Sequence, residues 1–313
     1  MPLATRNTGG LSFLGEGSVH EIYETPPLTF QEQVELLRSR GLIITDDAKT
    51  ITILQNINYY RLSAYFPPFQ TEKDVFDKGT TLDAILCLYE YDRRLQNLIL
   101  EASANIEISV RTQLAYHLAH NYGAFGYLDS GNYYHYFDHY RWLRRIRENI
   151  NRSHEVFVKH FRAKYTSEID LPVWMVCEVI SFGQVSQLLR GLKKKDRQAI
   201  SKSHFDIDHM LMTSWIHTIV YVRNLCAHHS RIWNRILAIQ PMRNKKDKDW
   251  DGIRNDKIFA VFLIIKKLTR FGGNWDEWSG KLLTLLGEFP NVDVTRMGFP
   301  DNWREVIFDH HKV

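Results

Sequence analysis

An arginine and a histidine lie five positions apart near the end of a strongly periodic helical segment. They are Arg223 and His228, and the polar Asn224 follows the arginine directly. A guanidinium stays charged and binds phosphate oxygens in a fork geometry. A histidine side chain, with an ordinary pKa of about 6.5, exchanges protons near neutral pH. On one phosphodiester, these side-chain types can perform ribonuclease chemistry that uses no metal ion.

Spacing alone is weak evidence for such a site, because Arg111 and His117 have nearly the same arrangement inside what reads as an ordinary long helix. Context favours the later pair. Arg223 and His228 fall off the apolar stripe of their own segment and therefore face away from the core. The alternative, in which both residues only hydrogen-bond to neighbouring helices, stays open. The stripe consists of Leu211, Trp215, Ile219, Val222 and Cys226.

Positive charge is unevenly distributed along the chain. Residues 141–164, 190–202 and 231–257 carry six, five and four net positive charges, against a total of +4 for the chain. Such segregation indicates a polyanionic partner, although basic residues also cover solvated helix faces. We take RNA as the partner and expect its phosphates to contact Arg141, Arg144, Arg145, Arg152, Lys193, Lys194, Lys195 and Arg231.

Composition narrows the class of protein. The 313 residues are 44% hydrophobic, enough for a sizeable core. Cys87, Cys177 and Cys226 lie far apart, which is typical of a reducing compartment and argues against a zinc site. No apolar run has the length of a membrane span. We therefore expect a cytoplasmic protein with no cofactor.

Capping residues and apolar periodicity predict the helices of the N-terminal part. Residues 1–27 are rich in Gly, Ser and Thr and predict a poorly ordered arm. Thr29 with Glu32 forms a capping box for a helix that ends at Gly41. Asp46 or Asp47 begins a second helix that carries apolar residues to Leu62, so residues 28–70 predict a helical hairpin.

The remaining segments are also helical by periodicity. The longest predicted helix runs from Thr80 or Thr81 to Tyr122 and ends at Gly123. Further helices are predicted over 139–164, over 173–189 after Pro172, through Arg223, over the apolar run 258–265, and after Asn274. No convincing strand alternation is present. The expected fold is all-α, a multi-helix bundle with its main domain over 80–286 and a C-terminal tail over 287–313.

Several stretches make the sequence resemble the Abi family of bacterial abortive-infection proteins, of the AbiD and AbiF type, with a helical core similar to the HEPN ribonuclease superfamily. Together they cover roughly residues 28–237. They are Ile57-Asn58-Tyr59-Tyr60-Arg61-Leu62-Ser63-Ala64-Tyr65, Tyr91-Asp92-Arg93-Arg94-Leu95, Ile106-Glu107-Ile108-Ser109-Val110-Arg111, Pro172-Val173-Trp174 with Glu178 and Ser181-Phe182-Gly183, and residues 223–229 with Arg231, Trp233, Asn234 and Arg235.

The resemblance implies that Arg223, Asn224 and His228 form the catalytic motif of a HEPN-type endoribonuclease. The ribose 2′-OH would attack the adjacent phosphorus and leave a 2′,3′-cyclic phosphate and a 5′-OH. Arg111, His117 and Glu178 are candidates to support this site. HEPN sites commonly combine two motifs, and only one good copy is visible here. The resemblance therefore implies a homodimer.

The resemblance also implies a role in phage defence or toxin-antitoxin control, with a protein or a small regulatory RNA restraining the nuclease. Two other functions stay open. The first is a non-catalytic RNA-binding protein of the same fold. The second is a helix-turn-helix regulator that binds DNA through residues 29–66, although DNA is a less favoured partner.

Overall fold

The computed structural model describes residues 26–270 and 275–308. Within these residues the chain is almost entirely helical, with thirteen α-helices and one two-stranded sheet. The predicted all-α class is confirmed. The chain forms two compact units, one up to Tyr91 and one from Asp92 onward. The predicted arm over 1–27 lies almost wholly outside the described residues.

The first unit is built from short helices that begin at side-chain caps. As predicted, Thr29 and Glu32 form a reciprocal capping box at the start of α1, which buries Val34 and Leu37. Asp46 accepts a hydrogen bond from the N–H of Lys49 and begins α2. The helices of this unit are α1 (Phe30–Ser39), α2 (Asp47–Asn56), α3 (Tyr59–Ser63) and the start of α4 (Leu82–Tyr122).

Two sequence-based predictions for this unit are wrong. The second helix does not continue to Leu62, because the chain is extended at Ile57 and the Asn58 side chain caps a new helix by accepting from the N–H of Tyr60. The unit also contains strands β1 (Gln70–Glu72) and β2 (Val75–Phe76), which pair antiparallel across a turn with Asp74 at a φ of 66°. Strands of two or three residues are too short to show a detectable alternation.

Over residues 92–270 and 275–308, the second unit continues α4 and adds nine helices. Helix α4 ends at Tyr122, followed by Gly123 at a φ of 75°, as predicted. The added helices are α5 (His139–Arg152), α6 (Val156–Lys164), α7 (Val173–Val179), α8 (Phe182–Gly191), α9 (Lys194–Phe205), α10 (His209–Ala227), α11 (Ile258–Thr269), α12 (Trp275–Glu288) and α13 (Trp303–Ile307).

Two predicted helices are each divided in the structure. The segment 139–164 breaks at Ser153, where the backbone becomes extended, and α6 begins after Glu155. The segment 173–189 breaks at Ile180, after which Ser181 and Gln184 form a capping box for α8. Gly183 therefore lies in the first turn of α8. No helix was predicted over Lys194–Phe205, where the structure contains α9.

Helix α11 lies at the centre of the second unit. Every residue from Ile258 to Ile265 is at most 1% exposed, as an all-apolar helix requires. It packs against α10, α12 and α13, and α10 in turn packs against α8 and α9. The predicted cap Asn274 lies outside the described residues, although α12 begins directly after it. This packing fixes α10, which carries the Arg223 and His228 pair.

Candidate functional site

Helix α10 ends at the predicted histidine. His228 is the C-cap residue and its N–H donates to the carbonyl of Asn224. The N–H of His229 donates to Cys226 O, and that of Ser230 donates to Leu225 O, at 2.9 and 2.8 Å. These two bonds form a Schellman motif with His229 in the left-handed position, at a φ of 53°. The end of the helix is therefore a defined structure, and His228 is exposed on it.

Arg223 and Asn224 are joined through their side chains. Nη1 of Arg223 donates to Oδ1 of Asn224 at 3.2 Å. Asn224 and His228 are exposed residues one helical turn apart, while Arg223 is half-buried and begins on a neighbouring face. The hydrogen bond directs the guanidinium toward the face that carries His228. The end of α10 thus carries a guanidinium bonded to Asn224 and an exposed imidazole one turn beyond Asn224, side chains that can bind and protonate a phosphodiester.

The segment that follows the motif is anchored to α4 by a buried carboxylate. Asp92 is 0% exposed and accepts from the N–H groups of Ile232 and Trp233, the latter at 2.6 Å. Nε2 of Gln96, itself 4% exposed, donates to Oδ2 of Asp92 and to the carbonyl of Ser230. The chain leaving α10 is therefore held on both sides of residue 231, and this restrains the end of the helix.

Cys226 lies within the motif, and its side chain faces the protein interior. Burial raises the pKa of its thiol to about 12, and the negative charge of Asp92 contributes to the same shift. A thiol held protonated in this way is a packing residue. The apolar stripe predicted from the sequence is largely confirmed, since Trp215, Ile219, Val222 and Cys226 are buried and Leu211 is half-buried.

Arg111 and His117, the similar pair on α4, have partners of their own. The Arg111 guanidinium binds the Glu107 carboxylate and the Cys177 carbonyl at α7. Nε2 of His117 lies 2.9 Å from Oδ1 of Asp196, which also accepts from the hydroxyl of Tyr122 at 2.7 Å. These bonds join α4 to α7 and to α9. Glu178, the third supporting candidate, is exposed on α7.

The predicted RNA-binding residues of α5 and α9 are exposed. Arg141, Arg144, Arg145 and Arg152 lie on α5, whose Trp142, Ile146 and Ile150 are buried. Lys193, Lys194 and Lys195 occupy the N-cap and first turn of α9, where the helix dipole disfavours positive charge. The hydrogen bond from Lys195 to the hydroxyl of Tyr122 raises the pKa of that lysine.

Arg231, the last predicted RNA-binding residue, is half-buried and stands near a buried lysine. Nζ of Lys257, which is 6% exposed, donates to Oδ1 of Asn234 at 3.1 Å. Burial lowers the pKa of Lys257, and the charges of Arg254, Arg231 and Arg296 add to this shift. Positive charge is therefore concentrated on the segment directly after the motif.

Two properties of the described part of the chain concern metals and membranes. In it, no group of three or more His, Cys, Asp or Glu side chains is arranged to hold a metal ion. None of its helices combines the length and apolarity needed to cross a bilayer.

The fold and the site define an all-helical protein with an arginine-histidine pair at one helix end and several exposed basic segments. A family profile described as Abi-like protein matches residues 52–234, more than half of the 313 residues. The chain belongs to the family of Abi-like proteins. Neither the curated proteins nor the solved structures include a significant match to it.

Sequence reasoning assigned no role to several residues around the site. Asp92 was part of the motif that carries the family resemblance, but its pairing with residues 140 positions away has no local signal. Arg190 and Tyr136 both line a groove between α5 and α8. Arg190 begins the basic segment 190–202, whereas no sequence signal distinguished Tyr136.

Proposed function

We propose that this protein is an abortive-infection endoribonuclease that cleaves RNA without a metal ion, with Arg223, Asn224 and His228 as its catalytic residues. Family membership supports a role in phage defence, because the matched family takes its name from abortive infection. The observation that carries the proposed chemistry is the end of α10, where the Arg223 guanidinium is tied to Asn224 one turn from the exposed His228.

In the proposed reaction the 2′-oxygen of a ribose forms a bond to the adjacent phosphorus and loses its proton to His228. The bond from phosphorus to the 5′-oxygen breaks, and that oxygen takes up a proton. The products are a 2′,3′-cyclic phosphate and a 5′-OH. Arg223 binds the phosphate and offsets the charge that develops in the transition state, while Asn224 orients the guanidinium.

The reaction needs both a base and an acid. Arg111 and His117 are engaged with Glu107 and Asp196, so a single described chain presents one Arg–His pair of this kind. The proposal therefore includes a homodimer in which His228 of one copy accepts the proton and the partner's His228 supplies the other. The same basic segments that bind the substrate can bind a small RNA that restrains the enzyme.

The first test compares wild-type protein with His228→Ala on a labelled RNA, in the presence of EDTA. Cleavage by the wild type should persist and yield 2′,3′-cyclic phosphate ends. The variant removes both the base and the acid of the dimer, so its rate should fall by at least about 10²- to 10⁴-fold, the usual contribution of one such group, while its RNA affinity changes little. His160→Ala, an exposed histidine on α6, is the matched control and should cleave normally.

Three results would count against the proposal. Cleavage by His228→Ala at the wild-type rate would remove the histidine from the mechanism, and products with 3′-OH ends would exclude attack by the 2′-OH. RNA binding by the wild type with no cleavage under any condition would favour the non-catalytic RNA-binding function.

A further inference from the structure

A groove of about 580 Å³ lies in the second unit, between the start of α5 and the end of α8. Arg141 and Arg145 of α5 and Arg190 of α8 line it, with the aromatic side chains of Phe137 and Trp142 and the ring of Tyr136. A Cβ at Gly191 would lie 2.8 Å from the Phe137 ring, so only glycine allows this ring its position. The groove combines an apolar base with a cationic rim.

The three arginines of the groove are exposed and form no salt bridge with any residue in 26–270 or 275–308. Arg147, on the same helix, shows the contrast, since it forms two hydrogen bonds with the Asp170 carboxylate at 2.8 and 2.7 Å. The groove also includes Asp138, whose Oδ1 accepts from the backbone N–H of Arg141 as the cap of α5. The groove therefore carries a net charge of +2, which favours the binding of a phosphate group.

The aromatic ring of Tyr136 is held in place by neighbouring side chains. Its ring is 68% exposed and stacks on Tyr134, with centroids 5.1 Å apart and an interplanar angle of 10°. Tyr134 is in turn fixed by Arg197, which donates to its hydroxyl at 3.0 Å and lies over its ring at 4.9 Å. Such a ring can stack on a nucleobase with little ordering cost, and the stacking tolerates any base.

The groove is connected to the catalytic motif along α10. Helix α8, which carries Arg190, packs against α10; burial lowers the pKa of His217 on α10, and the charge of Arg190 adds to this shift. His217, Tyr221, Asn224 and His228 recur at steps of four, three and four and so share one face of α10. At 1.5 Å per residue, His217 lies about 16 Å from His228, a distance that one RNA strand can span.

We infer that this groove binds one nucleotide of the single-stranded RNA substrate, away from the scissile bond. Its phosphate contacts Arg141, Arg145 and Arg190, and its base stacks on Tyr136. This inference rests on the proposed ribonuclease function, because the strand runs from the groove along α10 to His228. Arg144 and Arg152 lie on α5 outside the groove and take no part in this nucleotide site.

The experiment measures binding of a fluorescent single-stranded RNA to protein carrying His228→Ala, so that the ligand stays intact. Adding Tyr136→Ala should weaken affinity roughly 5- to 150-fold, the range for loss of one stacked base. Tyr140→Ala is the matched control, since Tyr140 is 78% exposed on α5 and does not line the groove. Its affinity should match that of His228→Ala alone.

The charge contribution is tested by the salt dependence of the same affinity. Arg141→Gln/Arg145→Gln/Arg190→Gln should flatten the slope of log affinity against log salt by about 0.7, because the three arginines bind one phosphate and each phosphate contact on a single strand contributes about that much. The charge-matched control is Arg38→Gln/Lys49→Gln/Lys281→Gln, which removes three cations that already have carboxylate partners. This control should retain most of the slope.

The outcomes separate this inference from the function on which it rests. If the groove variants bind RNA like their controls while wild-type protein cleaves RNA through His228, the inference is overturned and the ribonuclease stands. If the groove variants lose affinity but the wild type leaves RNA intact, the groove stands as an RNA site and the ribonuclease is rejected.

Discussion

His229 has a backbone conformation that suits glycine better than histidine. It occupies the C′ position of α10 with a φ of 53°, the position where helices most often end on glycine. Left-handed backbone costs a non-glycine residue roughly 1–2 kcal/mol. The chain therefore carries a strained residue directly beside the proposed catalytic histidine. Such strain often accompanies functional sites.

Replacing His229 with glycine should stabilise the protein. Relief of the strain exceeds the extra backbone entropy of glycine, about 0.5–1 kcal/mol, so the free energy of unfolding should rise by about 0.5–1 kcal/mol in urea denaturation. His228→Gly is the matched control. Its backbone has a φ of −93° and gains nothing from glycine, so this variant should be less stable than the wild type. A lower unfolding free energy for His229→Gly would show that the histidine side chain outweighs its strain.

Among the helices, α4 and α10 show how a distant element positions a short motif. The Asp92 carboxylate on α4 accepts hydrogen bonds from two backbone N–H groups of the segment after α10. The Gln96 side chain donates to a carbonyl of the same segment. Buried N–H groups must find acceptors, and here a carboxylate supplies them. The position of residues 230–233 thus depends on a helix far away in the sequence.

Asp92→Ala should destabilise the protein and loosen this segment. Two buried N–H groups lose their acceptor, at about 1–3 kcal/mol each, so the unfolding free energy should fall by roughly 2–5 kcal/mol. Hydrogen exchange at the amides of Ile232 and Trp233 should become faster.

The control for this change is Asp83→Ala, an exposed aspartate on the same helix, which should change stability by at most about 0.5 kcal/mol. An equally small effect for Asp92→Ala, with unchanged exchange at residues 232 and 233, would mean that the segment is held by other contacts.

The sequence allowed prediction of those elements whose signals are local. The Thr29 capping box, the stop at Gly123 and the apolar α11 each depend on residues within a few positions of one another. The breaks at Asn58, Ser153 and Ser181 were missed because apolar periodicity continues across them and a single polar residue caps the next helix. Helix α9 was missed because its sequence is mostly polar and only four of its residues are buried.

The same distinction applies to the site. Arg223, Asn224 and His228 lie within two turns of one helix, so spacing and the apolar stripe sufficed to place them together. The Asp92 anchor and the groove combine residues from segments far apart, and their assembly depends on packing that no local pattern encodes.

At the scale of the whole molecule, two buried thiols make stability depend on pH. Burial raises the pKa of both Cys177 and Cys226 to about 12. Below about pH 9 both the folded and the unfolded chain keep these protons. Above it the unfolded chain releases protons that the folded chain retains, so the free energy of unfolding falls as pH rises from about 9 toward 12. The buried Tyr127 and Tyr133, whose pKa values are also raised, extend the fall.

Urea denaturation at pH 7, 9 and 10 should show this loss of stability. Each thiol should contribute up to about 1.4 kcal/mol per pH unit once the unfolded thiol ionises. Cys87→Ala removes the exposed cysteine and should leave the pH dependence unchanged. A stability that is constant between pH 7 and 10 would contradict the expected burial of both thiols.

The apolar helix α11 has a consequence for how the cell handles unfinished copies of this protein. Ile258 to Ile265 contains no charge, and its cover includes α12 and α13, which are synthesised afterwards. A chain released from the ribosome before Trp275 exposes the side of α11 that α12 and α13 would cover, an apolar surface of the kind that aggregates or recruits chaperones and proteases. Truncated copies of this kind should therefore be better substrates for quality-control proteases than the completed chain.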